Sequence, residues 1–155
     1  MTNKSNKPKK GGPRSASRLG AVQALYQLDM AEKPNVKMVI TEYSHHRLGK
    51  EIEGDQYSDA DVTLFVDIVD GTYARLDEID TNIKLYLTSD WPFERVEKLL
   101  RAILRAGCYE ILARPDVPTP VIINEYVDVA HAFYDRIETS FVNGILDKLA
   151  KEIRS

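Results

Sequence analysis

The run from Arg101 to Ala150 constrains this 155-residue chain most, because helical spacing there is broken at a single place by prolines. Val96, Leu99, Leu100, Ile103, Leu104, Gly107 and Ile111 recur at steps of three and four, which places them on one helical stripe that must be buried. Pro115, Pro118 and Pro120 remove backbone donors and clash with a preceding helical turn. One helix is therefore expected to end near Ala113 and the next to start close to Thr119, with Thr119 and Pro120 as cap and first turn. Phe141, Ile145, Leu149 and Ile153 repeat every four residues, so Asn143-Gly144 lies within a helix, where Gly144 is expected to admit a close neighbouring helix.

Upstream, a first helix is expected from Ser15 or Ser17 to about Glu32, stopped by Pro34, and a weaker second one from Val36 to Arg47. The polar stretch from Gly49 to Ser58 reads as a loop. Helical spacing resumes at Asp59: Val62, Phe65, Val66, Val69 and Tyr73 form one stripe, and Leu76, Ile79, Ile83 and Leu87 another beyond a bend. Ser89 to Pro92 breaks the pattern before Phe93 enters the long helix. No alternating run or repeat is present, so the fold class is all-α, with six or seven helices.

The net charge of −3 is the sum of two unlike segments. Lys4, Lys7, Lys9, Lys10, Arg14 and Arg18 give residues 1 to 28 a charge of +6 with no carboxylate, leaving 15 bases against 24 acids, or −9, in residues 29 to 155. Residues 1 to 16 contain glycine, proline and serine with no apolar periodicity, so they read as a flexible basic arm that orders on a polyanion or rests on the acidic body; residues 17 to 155 read as one domain. A chain of this length buries enough surface to fold without metal or disulfide. The lone Cys108 excludes an internal disulfide and reads as a buried, inert thiol, which favours a reducing compartment. No secretory signal or membrane-spanning run is seen, so the expected location is cytoplasmic.

Catalytic chemistry is hard to assemble from these residues, and a non-enzyme without cofactor or metal is expected. His45 and His46 are adjacent and point apart on a helix; His131 sits on a polar face. Asp55, Asp59, Asp61, Asp67 and Asp70 form an acidic cluster, but Phe65 and Val66 occupy places where a calcium loop needs its turn and ligands, so capping and solvation explain it better. There is no phosphate-binding glycine loop and no nucleophile elbow. Binding chemistry is better supplied, since proteins read single-stranded RNA by stacking bases on aromatic rings while Arg and Lys meet phosphates. Tyr26, Phe133 and Phe141 lie on or near apolar stripes and read first as core; Tyr134 lies off its stripe and has room for a partly exposed ring.

The segments RLGAVQALYQL, AILRAGCYEIL, DVP, VIINEYVDVA and FVNGILDKLA, in this order and spacing, resemble the NusB family of bacterial transcription antitermination factors. The likeness is dense from Trp91 to Ile153, returns from Arg18 to Leu28, and covers roughly half of the chain. It implies two small helical subdomains, the N-terminal helices in one and the C-terminal helices in the other. It also implies binding of boxA, a single-stranded RNA element of ribosomal RNA leaders, together with NusE, a ribosomal small-subunit protein, to help RNA polymerase pass terminators. Carried onto this chain, Lys9, Lys10, Arg14 and Arg18 contact RNA phosphates, Tyr26 contacts RNA from the first helix, Phe133, Tyr134 and Phe141 border the RNA track, and Glu97 faces NusE. No DNA or membrane partner is implied. The chain departs from the family in its looser arginine spacing, Arg14-Ser15-Ala16-Ser17-Arg18, and in carrying Tyr134 where glycine is common. Two other classes compete: an adaptor binding only proteins, and the helical front domain of some ribosomal RNA cytosine methyltransferases, for whose α/β domain no room follows Ser155.

Overall fold

The computed structural model describes residues 12–46 and 61–155; the expected arm up to Gly11 and the expected 49–58 loop lie outside the described residues. Seven helices occupy them: α1 (Pro13–Met30), α2 (Val36–His46), α3 (Val62–Ala74), α4 (Leu76–Lys84), α5 (Lys98–Ala113), α6 (Thr119–His131) and α7 (Arg136–Ile153). No strand occurs among the described residues, in keeping with the all-α expectation.

Local chemistry sets most boundaries. Pro13 starts α1 with its φ already helical and no donor to waste, so Arg14, Ser15 and Ala16, assigned above to a flexible arm, belong to the first turns of the helix. Asn35 and Asp61 cap α2 and α3 by accepting from the amides of Met38 and Leu64, each at 3.0 Å. Phe93 lies in a short 3-10 turn, Phe93–Arg95, and not in the long helix, which begins at Lys98. At α6 the cap position falls on Pro118; Thr119 is the first helical residue and its hydroxyl accepts a hydrogen bond from Arg154.

α5 is the spine. Every residue from Ala102 to Ile111 is buried, because α1 and α3 pack on one side and α4, α6 and α7 on the others. α1, α2 and α3 form one group and α6 and α7 another, and α5 joins both into a continuous core whose largest buried side chains include Tyr126, Phe65, Leu104 and Leu146. A Cβ on Gly107 would stand 2.9 Å from Leu146, and one on Gly71 would stand 2.3 Å from the ring of Tyr109. These two glycines hold the close approaches. Gly144, expected to do so, has nothing within 4 Å of a Cβ.

Charged residues inside the core are paired. Arg18, 2% exposed, donates from Nε and Nη2 to the two carboxylate oxygens of fully buried Glu110 at 2.7 and 2.9 Å, and from Nη1 to Glu125 at 3.1 Å. The hydroxyl of Tyr126 donates to Glu110 at 2.5 Å. Burial opposes the charge on Arg18, but the hydrogen bonds and attraction of Glu110 outweigh it and hold the guanidinium above its ordinary pKa; burial and Glu110 together push the Tyr126 phenol well up. A second arginine, Arg105, grips Asp80 with two bonds of 2.8 Å. Asp67 accepts from the Tyr109 hydroxyl at 2.7 Å and from Arg114 at 2.9 Å, so this aspartate and the capping Asp61 of the acidic cluster serve the fold.

Cys108 is fully buried and burial pushes its thiol up to about 12. Keeping it protonated favours the folded state, a contribution intact at neutral pH and lost only as pH rises above the ordinary thiol range towards that value. At pH 7.5 a thiol reagent is expected to modify Cys108 in urea and to leave the native protein unlabelled; rapid labelling without denaturant would contradict this.

Candidate nucleic-acid interface

Helix ends bring the expected surface residues together. α6 stops at His131 because Phe133 and Tyr134 donate their amides back to Ala130, at 3.0 and 2.8 Å, in a tight turn before α7. That turn lifts the ring of Phe133 into solvent, 43% exposed, and tilts Tyr134 towards the start of α5. The Tyr134 hydroxyl donates to the carboxylate of Glu97, which is exposed and stands just before α5; burial of the ring and this carboxylate both raise the phenol's pKa. One residue expected to border RNA thus touches the residue expected to face a protein partner, across 37 positions of sequence.

Phe141, half-buried on the second turn of α7, stacks on Trp91 with ring centroids 4.0 Å apart and planes 26° from parallel. Ile137, one turn earlier, is 71% exposed. Sequence reading missed Trp91 and Ile137 as surface residues. A tryptophan before Pro92 in a helix break was the available signal for the first; Ile137 had none.

The basic residues divide. Lys9 and Lys10 lie outside the described residues. Arg14 is exposed on the first turn of α1, beside Ser15, whose hydroxyl donates to Glu125 of α6 at 2.8 Å. Arg18, carried over above as a phosphate contact, is 2% exposed, and each of its guanidinium nitrogens bonds a carboxylate of Glu110 or Glu125, so in this structure it ties α1 to α5 and α6. Tyr26, expected first as core, lies at the surface of α1, 36% exposed. His131 is exposed, and among the described residues no group of three or more His, Cys, Asp or Glu side chains is placed to hold a metal ion. No helix among them is long and apolar enough to cross a membrane.

The fold and this surface define a small all-helical protein that gathers aromatic rings where three helices meet. The chain belongs to the NusB family, whose model matches residues 15–151. Among its relatives, the transcription antitermination protein NusB of Sphingopyxis alaskensis is 51% identical over 146 residues, covering 94% of this chain and 97% of the relative. The protein of the same name from Novosphingobium aromaticivorans is 49% identical over 144 residues, covering 93% and 97%. Of solved structures, T. maritima NusB shares the fold with a TM-score of 0.75 at 29% identity over 94% of each chain. A structure of antitermination factors NusB and NusE in complex with dsRNA matches with a TM-score of 0.70 at 21% identity, over 89% of this chain and 96% of that one, a likeness of fold.

Proposed function

We propose that this protein is a cytoplasmic, non-catalytic RNA-binding antitermination factor that holds single-stranded boxA RNA together with NusE and helps RNA polymerase read through terminators. The observation that carries the reading is the turn between α6 and α7, where the exposed ring of Phe133 stands beside Tyr134, itself hydrogen-bonded to Glu97. Bases stack on such rings at about 1 to 3 kcal/mol each. In this reading Lys9, Lys10 and Arg14 meet phosphates, Tyr26, Phe133, Tyr134 and Phe141 line the base path, and Glu97 faces NusE, whose basic surface suits the −9 charge of residues 29 to 155. Family membership and the names of the relatives support it.

Titration of labelled boxA RNA, alone and with NusE, tests the reading. Four lysines before Gly11 and Arg14 make about five phosphate contacts, which are expected to contribute roughly −3.5 to the slope of log affinity against log salt. Deleting residues 1 to 11, which spares the first turn of α1, is expected to shallow the slope by about 2.8, the share of the four lysines. Phe133→Ala is expected to cost about 1 to 3 kcal/mol of RNA binding. No binding of RNA with or without NusE would overturn the reading, and an unaltered slope in the shortened protein would remove the arm from the RNA site.

A further inference from the structure

We infer that Lys84 and Arg101, set around the ring of Phe93, form a phosphate-binding station for single-stranded RNA between Tyr26 and Tyr134, an inference that rests on the RNA-binding function proposed above. Three cations surround this ring: Arg101 Cζ lies 4.9 Å from its centroid, Lys84 Nζ 5.0 Å and Arg105 Cζ 5.5 Å. Arg105 is neutralised by Asp80 and, at 3.6 Å, by Asp29. The other two are not. Arg101 spends Nε and Nη2 on the carbonyls of Val96 and Glu94, at 3.0 and 3.4 Å, and Lys84 is exposed. Among the described residues neither has a carboxylate at ion-pair distance. On a body carrying −9, two adjacent unpaired cations are a local reversal of sign, and the π face of Phe93 keeps both near one spot. Beside them opens a cleft of about 270 Å³ lined by Lys84, Thr88, Pro92, Phe93 and Glu94, so a phosphate has room to approach.

Position argues for RNA. Tyr26 neighbours Asp29 one turn along α1, and Asp29 reaches Arg105 on α5. Glu97, the cap residue of α5, and Arg101 and Arg105 within it follow at four-residue steps, and Glu97 holds Tyr134. The station thus lies on the line of contacts that joins the two expected aromatic ends of the base path. It supplies positive charge where the rings supply none.

The test uses the full-length protein, labelled boxA RNA and NusE. Lys84→Glu, at a side chain with no hydrogen bond among the described residues, is expected to weaken RNA binding about tenfold and to shallow the log-log salt slope by about 0.7; Arg101→Gln is expected to shallow it by a similar amount. Affinity for NusE without RNA should not change. Wild-type affinity and slope in both variants would overturn the station, as would a loss confined to NusE binding, which would assign the cations to a protein contact. If wild type binds RNA and Phe133→Ala weakens it while both charge variants do not, the station alone fails; if wild type binds no RNA, the proposed function fails.

Discussion

Arg18→Ala is expected to lower the free energy of unfolding by about 3 to 5 kcal/mol, the range found when one partner of a buried ion pair is removed. The substitution strands the Glu110 carboxylate in a site with no exposure, leaving only the Tyr126 hydroxyl as a hydrogen-bond donor from a side chain. It also removes one of two side-chain ties from α1 to Glu125 of α6, leaving that of Ser15. Urea denaturation measures the loss. A double variant, Arg18→Met with Glu110→Gln, removes the stranded charge and is expected to recover part of it. RNA binding by the folded fraction should keep its salt slope. A variant of normal stability that no longer binds RNA would show instead that Arg18 leaves the interior to meet the nucleic acid.

The second large effect is expected at the other end of the chain. Arg154 lies just past α7, yet its guanidinium closes the end of α5 and the turn beyond it: Nε donates to Ile111 O at 3.0 Å, Nη2 to Glu110 O at 3.1 Å and Arg114 O at 2.8 Å, and Nη1 to Val117 O at 2.8 Å and the Thr119 hydroxyl at 3.2 Å. The last carbonyls of a helix have no partner within it, and the proline-rich turn that follows supplies few amides. Arg154→Ala is expected to destabilise the protein by about 2 to 4 kcal/mol, since several carbonyls lose a charged donor at once. Arg154→Lys should restore only a minor share, because an ammonium cannot span five acceptors with a planar fork. Thermal unfolding of the three proteins checks the order, and equal stability of the alanine variant would refute it.

The helices were legible in the sequence because their signals are local. Apolar residues at steps of three and four, Pro34 after α1, and prolines after Ala113 all act within a turn or two of chain, so the elements stand close to where the pattern puts them. Misreadings arose where the deciding partner was distant. Arg18 looks like part of a basic arm until Glu110, 92 residues away, is folded against it. Gly144 looks like a packing glycine, but close approach is a property of the opposing helix, and α7 meets α5 through Leu146 against Gly107.

The surface divides in the same way. That Tyr134, Phe133 and Phe141 are aromatic residues near a helix junction follows from order and spacing alone. Which rings face solvent does not, since Phe141 turns to Trp91 while Phe133 is left exposed. By itself the sequence determined six or seven helical segments and an acidic body with a basic start, because composition and periodicity are written along the chain, and its ordered motifs carried the family resemblance. Only the tertiary structure decided that α5 is buried from Ala102 to Ile111, that Glu97 meets Tyr134, and that two cations around Phe93 have no carboxylate partner among the described residues. Those facts depend on which helices pack together, and packing joins residues that no local rule relates.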